Sequence, residues 1–203
     1  WYNSDVVVSL VSDDGVGVGV DKTYYSIERS TNNQTYSEYS SPILIDFEGV
    51  ITIKFYSVDK VGNIEDENSI ELKIDKKSPP APEIVVKRDS FAWSKIDNLT
   101  WKHYGARITL TAGTDDGSGI NKTQYRIGES GEWVDYYQSL TVTSTDYSYI
   151  TIFARSVDTS GNISNLNKVI VAPIEVYANG WYYIEIKGQQ GKVSANTTAI
   201  NYL

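Results

Sequence analysis

The 203-residue chain contains no cysteine, no methionine and one histidine. Without cysteine there are no disulfides, no cysteine-bound zinc or iron–sulfur sites and no thiol nucleophile. The single histidine, His103, excludes a polyhistidine metal centre, and no second histidine or nucleophile motif accompanies it. We therefore expect a chain that is not an enzyme. The lack of an initiator methionine indicates a processed chain or a piece of a longer protein.

Positive charge and long apolar runs are also scarce. The chain has 18 basic and 26 acidic residues, a net charge of −8, which repels phosphate backbones and anionic membrane surfaces. Its longest apolar stretch, residues 169–176, is interrupted by Pro173 and Glu175 and is far too short to span a bilayer. The sequence therefore predicts neither nucleic-acid binding nor membrane insertion.

What is present is an aromatic-rich, β-type pattern. The chain carries 16 tyrosines and 5 tryptophans. Apolar residues alternate with a period of two, as in the stretches 51–55, 70–74 and 150–154, and no stretch shows helical periodicity. The sequence predicts an all-β protein, and its length fits two domains of about 100 residues each.

One sequence pattern occurs twice in the chain. The first copy contains SDDGVGV, TYYSI and ITIKFYSVDKVGNI, and the second contains TDDGSGI, TQYRI and ITIFARSVDTSGNI. The copies keep a nearly constant offset of about 100 residues, as expected of tandem domains. Residues 76–82 between them hold three of the five prolines, which favours a stiff, extended linker.

The repeat defines the expected domains. We predict one β-sandwich over residues 1–78, a second over 79–174, and a C-terminal hairpin over 175–203 that is a degenerate partial third copy. The second copy begins with a leading strand, near residues 82–87, that the first copy lacks. We expect the tandem to be rod-like. A lone hairpin is too small to fold by itself, so the tail is expected to pack on the second domain or to belong to a further, incomplete one.

These motifs resemble the Ig-like or fibronectin-III-like repeat modules found in tandem in bacterial extracellular and surface proteins. The resemblance rests on the Asp-x-Gly motif, on Tyr25 and Tyr125, and on the motif Ser-Val-Asp-x-x-Gly-Asn at 57–63 and 156–162. It covers most of the chain and implies two Ig-like β-sandwiches in a secreted or surface-displayed protein. Fold alone does not supply function.

The repeated aspartates have two interpretations. Aspartate and asparagine beside glycine are what tight turns need, and this is the interpretation we favour. Alternatively, carboxylates from two loops at one end of a sandwich supply the oxygen ligands that calcium prefers. The calcium candidates are Asp13, Asp14 and Asp59 in the first copy and Asp115, Asp116 and Asp158 in the second.

Aromatic residues at non-repeated positions are the candidates for ligand binding. Rings exposed on a β surface stack on sugar faces, and the same rings can instead fill the core or the domain junction. The candidates lie in the second copy: Trp93, Trp101, Trp133, Tyr136 and Tyr137.

The sequence thus favours a non-catalytic structural and adhesive module, a spacer or stalk that contacts a glycan or a host or cell-surface protein. Further domains of a parent chain are expected around it. Two alternatives stay open: an accessory module of a secreted carbohydrate-active enzyme, and a segment of a phage tail or virion surface.

Overall fold

The computed structural model describes residues 1–29, 35–88, 93–95, 100–103, 105–144, 146, 148–177, 181–186 and 189–194. Every regular element in these ranges is a β-strand, and they include no helix long and apolar enough to cross a membrane. The chain forms two compact units. The first consists of Trp1–Lys77 with two loops, Asp116–Gly119 and Asp158–Asn162, and the second contains the rest.

The first unit is a sandwich of two sheets. Its strands are β1 (Val6–Val8), β2 (Val20–Arg29), β3 (Ser37–Glu38), β4 (Ile43–Ile45), β5 (Gly49–Asp59) and β6 (Asn68–Ile74). Strands β1 and β4 pair antiparallel in one sheet, and the other has the antiparallel order β3-β2-β5-β6. β-branched residues dominate these strands because their side chains pack well on a pleated surface.

The core of the first unit lies between these sheets. Alternate residues of β5 point inward, so Ile51 and Ile53 are fully buried, as the period-two pattern predicts. Ile74 on β6 is also buried. The same pattern predicts a buried Ile70, and this prediction is wrong, because the Ile70 side chain is 46% exposed. Ile70 pairs opposite Ile53 near the start of β6, whereas the buried Leu72 and Ile74 follow later on the same strand, so the facing sheet covers only the later part of β6.

The second unit contains a larger sandwich. Its strands are β7 (Glu83–Lys87), β10 (Gly105–Thr111), β11 (Ile120–Ile127), β12 (Val134–Asp135), β13 (Leu140–Thr143), β14 (Ile150–Asp158) and β15 (Asn167–Val171). One sheet has the order β13-β10-β7 and the other the order β12-β11-β14-β15. Three strands facing four is the arrangement of Ig-like sandwiches, which confirms the predicted fold class.

A single strand accounts for the main difference between the sandwiches. β7 pairs antiparallel with β10 over five residues, and the two-stranded sheet of the first unit has no counterpart of it in the ranges that the structure describes. Fully buried Ala106, Ile108 and Ile152 form the centre of the second core. The seventh strand is the leading strand that the sequence assigns to the second copy alone.

The insertion of the second copy and the C-terminal tail form one further sheet. Its strands are β8 (Trp93–Lys95), β9 (Thr100–His103), β16 (Ile174–Tyr177), β17 (Trp181–Ile186) and β18 (Gln189–Ser194). The sheet order is β18-β17-β16-β9-β8, and all pairs are antiparallel. The predicted hairpin, β17 with β18, is thus joined to the second unit through the pairing of β16 with β9.

Candidate functional site

The repeated Ser-Val-Asp-x-x-Gly-Asn motif forms a loop, and hydrogen bonds to its own aspartate close this loop. Strand β5 ends at Asp59, whose Oδ1 accepts hydrogen bonds from the backbone N–H groups of Val61 (2.9 Å) and Asn63 (2.8 Å). Its Oδ2 accepts a bond of 2.7 Å from the Asn63 side-chain amide. Gly62 lies between them with a φ of 91°, a value that glycine adopts without steric cost.

The second copy repeats this geometry. Asp158 ends β14, and its Oδ1 accepts hydrogen bonds from the Asn162 backbone N–H and the Ser160 hydroxyl, both at 2.8 Å. The Asn162 side-chain amide donates to Oδ2 at 2.8 Å, and Gly161 has a φ of 96°. Asp158 is fully buried. Because all the donors come from its own loop, the aspartate has the turn-forming role that the sequence favours.

The electrostatics of the Asp59 loop follow from these bonds. Burial by the loop tends to raise the pKa of Asp59, but the hydrogen bonds from Asn63 and Val61 favour the ionised form and hold the pKa below its ordinary value. The carboxylate is therefore charged at neutral pH and already engaged by its own backbone.

The Asp13–Asp14 loop is also closed by its own backbone, beside a cavity of about 500 Å³ in the first unit. Asp13 Oδ1 accepts from Gly15 N–H at 2.9 Å, and Asp14 Oδ2 accepts from Gly19 N–H at 2.8 Å. Both aspartates line this cavity together with Asp59, so the structure brings the three predicted residues of the first copy to one place. They do not form a group with oxygens within 4.8 Å of one another.

Hydroxyl groups line the same cavity. The Ser12 and Thr23 hydroxyls are 2.9 Å apart, and Thr23 is in turn 3.1 Å from the Ser57 hydroxyl. Glu65 accepts a hydrogen bond from Ser57 N–H at 3.0 Å. The cavity is thus lined by both acidic and apolar residues, and several of its polar groups bond to one another or to the backbone.

Asp75, which the sequence analysis does not single out, holds the two loops that complete the first unit. Its Oδ2 accepts a hydrogen bond of 2.7 Å from Ser118 N–H, and its main-chain oxygen accepts one of 2.9 Å from the Asn162 side-chain amide. The same amide reaches the main-chain oxygen of Lys77 at 2.9 Å. A carboxylate oxygen of Asp75 lies within 4.8 Å of one of Asp158. Asp75 is 3% exposed.

The remaining predicted aspartates lie near these loops. Asp115 is half-buried at the end of a segment of the second unit, and Asp116 is exposed at the start of a loop of the first. Calcium binding by any of the six aspartates stays a prediction.

The predicted aromatic residues lie in different surroundings. Trp93 and Trp101 lie on the paired strands β8 and β9, and their side chains are outside the described part of the structure. Tyr136 packs on the second core, where its ring meets that of Tyr125 edge-on at 6.5 Å. Tyr137 is 88% exposed. Among the predicted aromatic residues whose side chains the structure describes, Trp133 has two arginines against its ring.

Trp133 belongs to a surface on the outer side of the four-stranded sheet of the second unit, here called the arginine face. Because successive side chains of a strand point to opposite sides, the neighbours of the core residues Tyr125, Ile152 and Ala154 point outward. The arginine face consists of Lys122, Gln124, Arg126, Trp133, Asp135, Phe153, Arg155 and Lys168.

Cation–π contacts organise the arginine face. The Arg155 guanidinium lies 4.1 Å from the centre of the Trp133 ring, and that of Arg126 lies 5.1 Å from Trp133 and 4.7 Å from Phe153. Arg155 Nε donates a bond of 2.9 Å to Gln124 Oε1. Two arginines are thus held on one tryptophan.

Trp133 is a residue predicted from the sequence, whereas neither arginine is. A charged residue alternating with apolar ones on a strand is typical of a solvated face, and nothing local marks it as special. The contacts join a loop to two strands that are about 30 residues apart in the chain. Only the fold brings them together.

Comparisons with known proteins give the following. No protein-family model matches the chain, and no curated protein matches it. Fibronectin(III)-like modules of Clostridium thermocellum CbhA are 14% identical, with 84% of this chain and 86% of theirs covered and a TM-score of 0.41. The D00-D0 domain of intimin is 12% identical, with 84% and 94% covered and a TM-score of 0.33. The all-β sandwich fold itself is established by the strand pairing described above.

Proposed function

We propose that the chain is a non-catalytic structural and adhesive module of a bacterial extracellular or cell-surface protein, which acts as a spacer and contacts a glycan or surface protein through its second unit. One observation carries this proposal. The loops that the copies share are closed by their own aspartates, whereas the outer sheet faces of the two copies differ. Shared residues therefore serve the fold, and the divergent face is available for a partner.

None of the four aspartates whose pKa is displaced is suited to act as the general acid of glycoside hydrolysis. Glycoside hydrolysis needs a carboxylic acid whose pKa is raised, so that it can donate a proton near neutral pH. Among the described residues with a displaced aspartate pKa, Asp59, Asp75, Asp135 and Asp146, the pKa is lowered in every case. These carboxylates are bases held in the ionised form by hydrogen bonds.

A glycan array probed with the labelled chain tests the adhesive part. We expect retention on a subset of glycans without release of reducing ends, and loss of that retention in Trp133→Ala. Tyr24→Ala, on the corresponding face of the first unit, is the matched control and is expected to bind normally. Release of reducing ends in proportion to the chain concentration would contradict the non-catalytic role. A silent array would contradict the glycan contact and leave a spacer or a contact with a surface protein.

A further inference from the structure

The arginine face carries more positive than negative charge. Its four cations are Lys122, Arg126, Arg155 and Lys168. Lys122 pairs with Asp135 at 3.4 Å, and Lys168 pairs with Glu129 at the same distance. In the described part of the chain neither arginine has a carboxylate partner. Two uncompensated positive charges thus lie on one sheet face of a chain whose net charge is −8.

The two guanidinium groups are held in place before any ligand arrives. Arg155 is fixed by its stacking on Trp133 and by its bond to Gln124. Arg126 is fixed between Trp133 and Phe153, and its Nε is buried without a hydrogen-bond partner among the described residues. Desolvation, and then the charge of Arg126, lower the pKa of Arg155, so the two charges repel each other. An anion placed between them would relieve this repulsion.

The corresponding face of the first unit lacks this feature. β3 and β12 pair in the same way, with Tyr24 opposite Glu38 and Gln124 opposite Asp135. There, Tyr24 stacks on Tyr56 with ring centres 5.4 Å apart.

Two lysines of that first-unit face are neutralised. Lys22 pairs with Glu38 at 2.9 Å. Lys54 lies 3.0 Å from Glu28 and 3.5 Å from Glu67. The uncompensated arginines are therefore a property of the second copy and not of the repeat.

We propose that the arginine face binds a carboxylate-bearing polysaccharide, a polymer of uronic acid residues, with its carboxylates on Arg126 and Arg155. This inference rests on the adhesive function proposed above and names its ligand class. Guanidinium groups bind carboxylates through paired N–H donors, a geometry that neutral sugars cannot use.

The surroundings of the arginines suit sugar rings. Tyr137 is 88% exposed and follows Asp135 by two residues, at the border of the face. An exposed ring offers a stacking surface for the apolar side of a pyranose, and Asp135 accepts hydroxyl hydrogen bonds. A densely charged nucleic acid is disfavoured, because the remaining surface of the chain is acidic.

The test compares two forms of one polymer. Isothermal titration of the full chain with polygalacturonate oligomers is run beside the same oligomers with their carboxylates methyl-esterified. We expect binding of the free acid that is at least tenfold tighter than that of the ester and that weakens with salt. Equal binding of both forms would overturn this inference and leave the adhesive function standing. Absence of binding to both would overturn the inference, and a silent glycan array in addition would remove the glycan contact proposed above.

Variants assign the binding to the face. The double variant Arg126→Gln with Arg155→Gln is expected to lose at least tenfold in affinity, whereas Lys54→Gln on the first unit is not. Arg126→Lys with Arg155→Lys retains both charges and is expected to bind more weakly than the parent but more tightly than the glutamine pair. Thermal unfolding of each variant checks that it is folded. Unchanged affinity in the folded glutamine variant, or tighter binding of duplex DNA than of polygalacturonate, would overturn the proposal.

Discussion

The side-chain amide of Asn63 donates a hydrogen bond of 2.7 Å to the carboxylate of Asp59, four residues earlier in the chain. Asn162 and Asp158 repeat the bond at 2.8 Å. The same pair thus closes the same loop in both copies, and the two loops differ mainly in how deeply the aspartate is buried.

This difference gives a graded effect on stability. Replacing Asp158 by alanine leaves the donors around a fully buried carboxylate without an acceptor, and we expect a loss of about 1–3 kcal/mol in the free energy of unfolding. Asp59→Ala is expected to cost less, because water can reach the freed donors of its more exposed loop. Urea unfolding of both variants checks the order. An equal loss in both would contradict the role assigned to burial.

The glycine of the loop should resist substitution. Gly62 and Gly161 have φ values of 91° and 96°, which a β-branched residue adopts only at a cost of about 1–2 kcal/mol. We therefore expect Gly62→Val and Gly161→Val each to lower the unfolding free energy without altering ligand binding. Gly62→Asn, which tolerates positive φ better, is the control for the conformational cause. If valine and asparagine were equally tolerated, the backbone argument would fail.

Alanine substitutions at two isoleucines that pair across β5 and β6 are expected to cause different losses of stability. Ile53 is fully buried, so Ile53→Ala should cost about 2–5 kcal/mol through lost burial and the cavity left behind. Ile70 is 46% exposed, and Ile70→Ala should cost no more than about 1 kcal/mol. Chemical denaturation of the two single variants provides the comparison. A similar cost at both positions would show that the edge strand is more deeply packed than the structure has it.

Acid should weaken the loop around Asp146. Hydrogen bonds from Ser148 and Ser144 lower the pKa of Asp146 to about 2 from 3.8. Since the folded pKa is depressed, this contribution to stability is fully present above pH 3.8 and is lost as the pH falls towards 2. Asp146→Asn should remove this part of the pH dependence, and Asp21→Asn, at an exposed position, should not. Unfolding curves between pH 2 and 6 for the parent and both variants measure how the free energy of unfolding changes with pH.

The fold was largely predictable because its determinants are local and repeated. Alternation places Ile51, Ile53 and Ile152 inside, and the duplicated pattern fixes two sandwiches. The error at Ile70 arises because alternation shows which side a residue faces but not whether another sheet covers it.

The candidate site was less predictable, because it depends on distant contacts. Trp133 is a candidate for ligand binding because of its residue type. Arg155 becomes a candidate only because its guanidinium lies 4.1 Å from the centre of the Trp133 ring. Asp75 likewise depends on Ser118, which is 43 residues away in sequence. Sequence alone identifies the residue types that bind ligands, and it cannot show which of them meet.

The opposite orientation of successive side chains on β11 and β14 has a consequence for engineering and for evolution. The residues that form the core and the residues that form the arginine face alternate along the same strands, so one set can change while the other is kept. A duplicated module of this kind can acquire a new specificity without a new scaffold.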